Sequence, residues 1–208
     1  MVDAWWSEAT KLPFEMQDGG AYIGGPFRGV IHTTEFKYYT PSTKNYYGKF
    51  DPPHFTLVME GDDAKFYQHF PITVAARALE HNAGTIDTNQ RSAIQIELAW
   101  TAAEIADLPE AMLERLWDWM RWAEAQTGIK SWQYSRFVGE GDGKGYHSSS
   151  RMSDDEWIAY NGWCGHQHVP GNFHWDPGKL DIGRLLRITR PGTSPRCEVA
   201  GWFGVNAM

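Results

Sequence analysis

Apolar and polar positions alternate along Ala93–Leu98, where Ile94, Ile96 and Leu98 are separated by Gln95 and Glu97. A period of two predicts a β-strand with the aliphatic side chains on one face and Glu97 on the other. Arg28–His32 (RGVIH) is short, apolar and β-branched, which predicts a buried strand that delivers His32 at its C-terminal end. His54–Met59 and Lys65–Phe70 flank the turn EGDD and predict a hairpin. The period changes to three and four from Ala111 to Gln126. There Leu113, Leu116, Trp117 and Met120 form one face of an amphipathic helix that Gly128 closes. Ser153 and Glu156 make a capping-box pattern ahead of a short helix at Trp157–Tyr160, and Asp181 is placed to cap a last helix with Leu180 and Leu185 as its hydrophobic staple.

Breaker-rich stretches separate these elements. Residues 1–26 read as an irregular lead-in to a domain over 27–208, and Lys37–Pro53 reads as a loop rich in Tyr, Pro, Asn and Gly. Gly139–Ser150 is a polar, glycine-rich loop and a candidate for mobility near a site. Strands mixed with helices predict an α/β or α+β domain on one sheet.

Length and charge narrow the function classes. A chain of 208 residues suits one domain with a sizeable core. No run approaches the ~18 apolar residues of a membrane span, so no membrane partner is expected. The start, MVDAWWSEATKLPF, lacks the basic and apolar regions of a secretory signal. A net charge of −7 argues against nucleic acid, which needs a concentrated basic surface. Cys164 and Cys197 are too few for a disulfide framework; they form one bridge or stay as buried thiols. The eleven tryptophans mostly serve a core, although partly exposed rings would also suit a carbohydrate-handling surface. Oligomeric state is not legible.

The chemistry concentrates in Gly165–Gly178, GHQHVPGNFHWDPG, which holds His166, His168, His174 and Asp176. Imidazole and carboxylate together suit a borderline cation such as Zn²⁺. Pro170 and Gly171 bend the segment, and Pro177 keeps Asp176 out of the helical region. The plainer alternative is a polar surface loop that has collected histidine. His168 competes with His166 as a ligand, because two positions apart on an extended chain they face the same side. Glu97 is either a site carboxylate or an exposed strand residue. Glu35 either orients a ligand or lies on the surface. His54 reads as a structural histidine that could line a cleft; His69, His81 and His147 carry no metal signal of their own.

Three segments in this order resemble the zinc-dependent N-acetylmuramoyl-L-alanine amidases that share a fold with peptidoglycan-recognition proteins. They are RGVIHTTE (Arg28–Glu35), SAIQIEL (Ser92–Leu98) and GHQHVPGNFHWDPG, with a weaker likeness at HNAG (His81–Gly84) on the rim. The resemblance implies a single α/β domain with a central mixed sheet flanked by helices. It implies His32, His166 and Asp176 as zinc ligands and Glu97 as the catalytic acid–base. His174 falls where relatives often carry a lysine that steadies the oxyanion, so that role passes to an imidazole here. The implied substrate is peptidoglycan, cut between N-acetylmuramic acid and the L-alanine of the stem peptide. The last loop is most similar to endolysins of phages that infect actinobacteria, made in the host cytoplasm and acting on the wall after release. The alternatives are a peptidoglycan-binding module without activity and a cytosolic amidase that recycles muropeptides.

Overall fold

The alternation along the chain becomes one sheet. The computed structural model describes residues 4–12, 18–37, 51–80, 85–145 and 147–186, and the statements that follow concern those residues. The strands are Thr10–Lys11 (β1), Arg28–Thr33 (β2), Phe55–Glu60 (β3), Asp63–Gln68 (β4), Ala93–Leu98 (β5) and Trp163–Gly165 (β6), in the spatial order β1-β4-β3-β5-β2-β6. β3 and β4 form the antiparallel hairpin. The pairs β1–β4, β3–β5, β2–β5 and β2–β6 are all parallel, so the sheet is mixed. The helices are Glu110–Thr127 (α1), Glu140–Gly143 (α2), Asp154–Ala159 (α3) and Ile182–Leu186 (α4), with 3₁₀ turns at Ala102–Asp107 and His166–His168. None is long and apolar enough to cross a membrane.

Each face of the sheet has its own task. Ile31, Phe55, Leu57, Phe66, Ile94, Ile96 and Leu98 form the main core with Met112, Leu116, Trp119, Met120 and Ala123 of α1. Burying one such side chain is worth about 1.5–3 kcal/mol. Leu113, expected on the buried stripe, is only partly covered, and Met112, Trp119 and Ala123 take the deeper positions. Gly128 ends α1 in the left-handed region at φ 76°, its N–H reaching the Glu124 carbonyl. Ile182 and Leu185 of α4 close the same core, and the Asp181 carboxylate accepts from Arg184 N at 2.9 Å. On the opposite face Val30, Ala93 and Cys164 pack with Met152, Trp157 of α3 and Tyr160. The capping box at Ser153 and Glu156 starts α3. Cys164 is a free buried thiol that burial pushes up to about 12, and Cys197 lies outside the described residues.

Some local expectations change. The lead-in is not irregular throughout: Trp6 enters the core and β1 pairs with β4. β6 is too short to show a period, and it forms because β2 offers it a parallel edge. Its Trp163 lies over Gly29, where a Cβ would come 2.0 Å from the ring. The glycine-rich loop contains the helical turn α2. Most of the expected Lys37–Pro53 loop and the HNAG segment fall outside the described residues.

Two buried histidines make the second face sensitive to acid. His54 accepts from Gln95 N at Nδ1 (3.1 Å), with Nε2 2.9 Å from the Val74 carbonyl. His69 accepts from Thr56 Oγ1 at Nε2 (2.8 Å) and donates from Nδ1 to the Leu12 carbonyl (3.1 Å). The His54 imidazole is satisfied only when neutral, because a backbone N–H points at its Nδ1, and burial lowers both histidines to about 4. An unfolded histidine titrates near 6.5, so the unfolded chain binds more protons between the two values. Stability is therefore full above about pH 6.5 and falls as pH drops toward 4, by about 2 kcal/mol per histidine at pH 5. Urea unfolding at about pH 7 and about pH 5 should show this loss, and His69→Gln should reduce it by roughly one histidine's share. An unchanged difference in that variant would show that His69 is not held neutral.

Candidate metal centre

The strand register builds the centre. β2 runs parallel to β6 with Ile31 opposite Gly165, so the next residues, His32 and His166, arrive side by side at the strand ends. On the other flank β5 places Glu97 opposite His32, which turns both side chains to the same face, away from the isoleucines. The chain then makes the 3₁₀ turn and returns through Pro170–Trp175 to set Asp176 against the two imidazoles. Gly165 permits this return, since a Cβ there would lie 2.6 Å from Pro177 and 2.7 Å from Phe137. The Asp176–Pro177 peptide bond is cis.

His32 Nδ1 lies 3.0 Å from His166 Nδ1. Asp176 brings Oδ1 to 3.3 Å from His166 Nδ1 and Oδ2 to 3.6 Å from His32 Nδ1. One ligand atom from each of the three residues lies within 4.8 Å of the others, close enough for a single ion to be shared among them. Protonation states fit as well. Burial lowers His32 well below the usual histidine value, with His166 adding to the effect, so its imidazole is neutral. Burial alone would raise Asp176, but the imidazoles of His166, His32 and His174 hold it below the usual carboxylate range. Thr33 N also donates to Oδ2 at 3.3 Å. Two imidazoles and one carboxylate are a donor set for a divalent cation.

The other candidates separate. Glu97 is buried, 8% exposed, and the strand register puts it on the face of His32. His174 stands at the rim with its ring stacked on His166 (centroids 4.2 Å apart, 7° between planes) and Nε2 3.2 Å from Glu80 Oε1. His168 does not share the side of His166, because the chain here is a 3₁₀ turn and not extended. It is buried against Phe137, its Nδ1 accepts from Gly165 N at 3.0 Å, and burial lowers it to about 4. His54 and His69 are structural. Glu35 does not orient a ligand: its carboxylate accepts from Thr33 Oγ1 (2.7 Å) and Ala102 N (3.0 Å), tying the end of β2 to the 3₁₀ segment.

Several residues that serve the site gave no signal in the sequence. Arg151 is buried and donates to six carbonyls, those of His166, Gln167, Val169 and His174 in the ligand loop and those of Gly143 and Gly145. The expected mobile loop is thereby stitched to the ligand loop. Gln167 accepts from Val138 N and donates to the carbonyls of Trp175 and Gly178, while its own N–H reaches the Asp176 carbonyl. Asn172 is buried beside His166. The roles of Arg151 and Gln167 consist of contacts to backbone atoms, which leave no pattern of residue types.

No protein-family model matches the sequence, and no curated protein matches it. Among solved structures, one described as the crystal structure of a selenomethionine derivative of AmpD superposes with a TM-score of 0.56 at 17% identity. The match covers 88% of this chain and 95% of that one. At that identity the likeness speaks for architecture, and the chain has the α/β fold of AmpD, a mixed sheet flanked by helices.

Proposed function

We propose that this protein is a zinc-dependent amidase that hydrolyses the bond between N-acetylmuramic acid and L-alanine in peptidoglycan. The observation that carries the reading is the row Glu97–His32–His166 across three parallel strand ends, with the Asp176 carboxylate set against both imidazoles. Its support is threefold: this geometry, the sequence resemblance of three ordered segments, and the likeness in fold to AmpD, an N-acetylmuramoyl-L-alanine amidase. The wording of the last ligand loop supports a lytic role against a bacterial wall, as the catalytic domain of a phage endolysin.

Zinc held by His32, His166 and Asp176 would supply Lewis acidity toward an amide carbonyl and acidify water. The chain's own groups do the rest. Glu97, on the same face as His32, would accept a proton from the attacking water and return it to the leaving nitrogen. His174, at the solvent side of His166, can donate a hydrogen bond to the oxygen that gains charge. Arg151 and Gln167 keep the ligand loop in shape while this happens.

Metal analysis of the purified protein should find about one zinc per chain, with activity lost to a strong chelator and recovered on adding Zn²⁺. His166→Ala should lose the metal. His168→Ala should keep it and lose stability, because that side chain is a packed hydrogen-bonding group. Activity without any bound transition metal would refute the metal reading.

Digestion of peptidoglycan should release new amino-terminal alanine without new reducing sugar. Reducing ends without free alanine would make the protein a glycosidase.

Glu97→Gln should lower turnover by roughly 10²- to 10⁴-fold with zinc content and melting temperature close to the parent. His174→Ala should keep its metal and lose less activity. Full activity in Glu97→Gln would remove the glutamate from the mechanism.

A further inference from the structure

The two histidines of the metal cluster differ in how their outer nitrogens are held. His32 Nε2 is buried and has no hydrogen-bond partner among the described residues. His166 Nε2 lies 2.8 Å from Asn172 Oδ1. Asn172 is 1% exposed, and the surrounding backbone settles which way its amide points. Oδ1 also accepts from Glu80 N at 2.8 Å, a bond that only an oxygen can make. Nδ2 faces the carbonyls of Pro170 at 2.9 Å and Glu80 at 3.5 Å, which only a nitrogen can satisfy. A flipped amide would set N–H against N–H and oxygen against oxygen.

With Oδ1 in that place, His166 Nε2 has to carry a hydrogen and donate it. A neutral imidazole protonated at Nε2 has its lone pair on Nδ1, the atom that lies 3.0 Å from His32 Nδ1 and 3.3 Å from Asp176 Oδ1. We propose that Asn172 is a positioning residue that locks His166 in the tautomer whose Nδ1 lone pair faces the metal site. Outer partners of this kind are worth about 10- to 100-fold in metal affinity. The same amide ties the ligand loop to Glu80, whose carboxylate meets His174, so one side chain sets the ligand and links the segment beside it.

The inference rests on the metal reading above, but its first test needs neither metal nor substrate. Nitrogen-15 NMR of the metal-free protein at about pH 8, where imidazole is neutral, reads the protonated nitrogen of each histidine. His166 should carry its proton on Nε2; a proton on Nδ1 in the parent protein overturns the proposal without any variant. Zinc affinity, measured by competition with a chromogenic chelator, should then fall about 10- to 100-fold in Asn172→Leu, which has no acceptor. Asn172→Asp keeps an acceptor and should hold both the tautomer and an affinity within a few-fold of the parent. Equal zinc affinity in the parent and Asn172→Leu, or weaker binding in Asn172→Asp than in Asn172→Leu, counts against it. If Asn172→Leu does not fold, the parent spectrum and Asn172→Asp still decide. A parent that binds no zinc defeats the metal reading itself, a result distinct from a wrong tautomer.

Discussion

The parallel register of β5, β2 and β6 is the constraint on which the rest depends. Glu97, His32 and His166 come from segments far apart in the chain, yet hydrogen-bonded pairing puts them in adjacent places at one edge of the sheet. A slip of one residue in β2 would send His32 into the hydrophobic core and bring Ile31 to the site face. The core prevents that slip, because Ile31, Ile94, Ile96 and Leu98 have to meet α1. Hydrophobic burial on one face thus sets the geometry of polar chemistry on the other.

The ligand loop has no such repeating pattern of strand pairs, and it is held by side chains that act on backbone. Arg151 gathers carbonyls from both the ligand loop and the neighbouring glycine-rich segment. Gln167 follows His166 in sequence and bonds to Val138 on one side and to Trp175 and Gly178 at the end of the returning chain. Buried amide and guanidinium groups are costly to leave unsatisfied, so a loop that satisfies them has few alternative conformations. Asp176, carried on such a loop, keeps its place as a strand residue would.

Burial also selects protonation states. The same loss of solvent that keeps His54, His69 and His168 neutral keeps His32 neutral, while the imidazoles and Thr33 N–H around Asp176 hold its carboxylate ionised. Neutral imidazole beside an ionised carboxylate is what a divalent cation requires. The structural histidines and His32 are all held neutral and differ in what their nitrogens meet. His54 and His69 spend both nitrogens on protein partners, whereas His32 and His166 point their Nδ1 atoms at each other and at Asp176.

The sequence by itself determined the elements whose signal is local. The alternation in Ala93–Leu98, the apolar run of Arg28–His32, the capping box at Ser153 and the glycine after α1 all report short-range physics, and each became the element expected. The residue types in GHQHVPGNFHWDPG were enough to nominate a metal site, because His and Asp at close spacing carry their chemistry with them. Only the tertiary structure set His166 beside His32 and Asp176 and His168 away from them, since a 3₁₀ turn in place of an extended chain turns the two rings apart. It also made a strand of Trp163–Gly165, gave Glu35 a structural bond in place of a ligand contact, and assigned Arg151, Gln167 and Asn172 to the support of the centre. These outcomes depend on atoms brought together from distant parts of the chain. A contact made to a backbone carbonyl leaves no trace in the order of side chains.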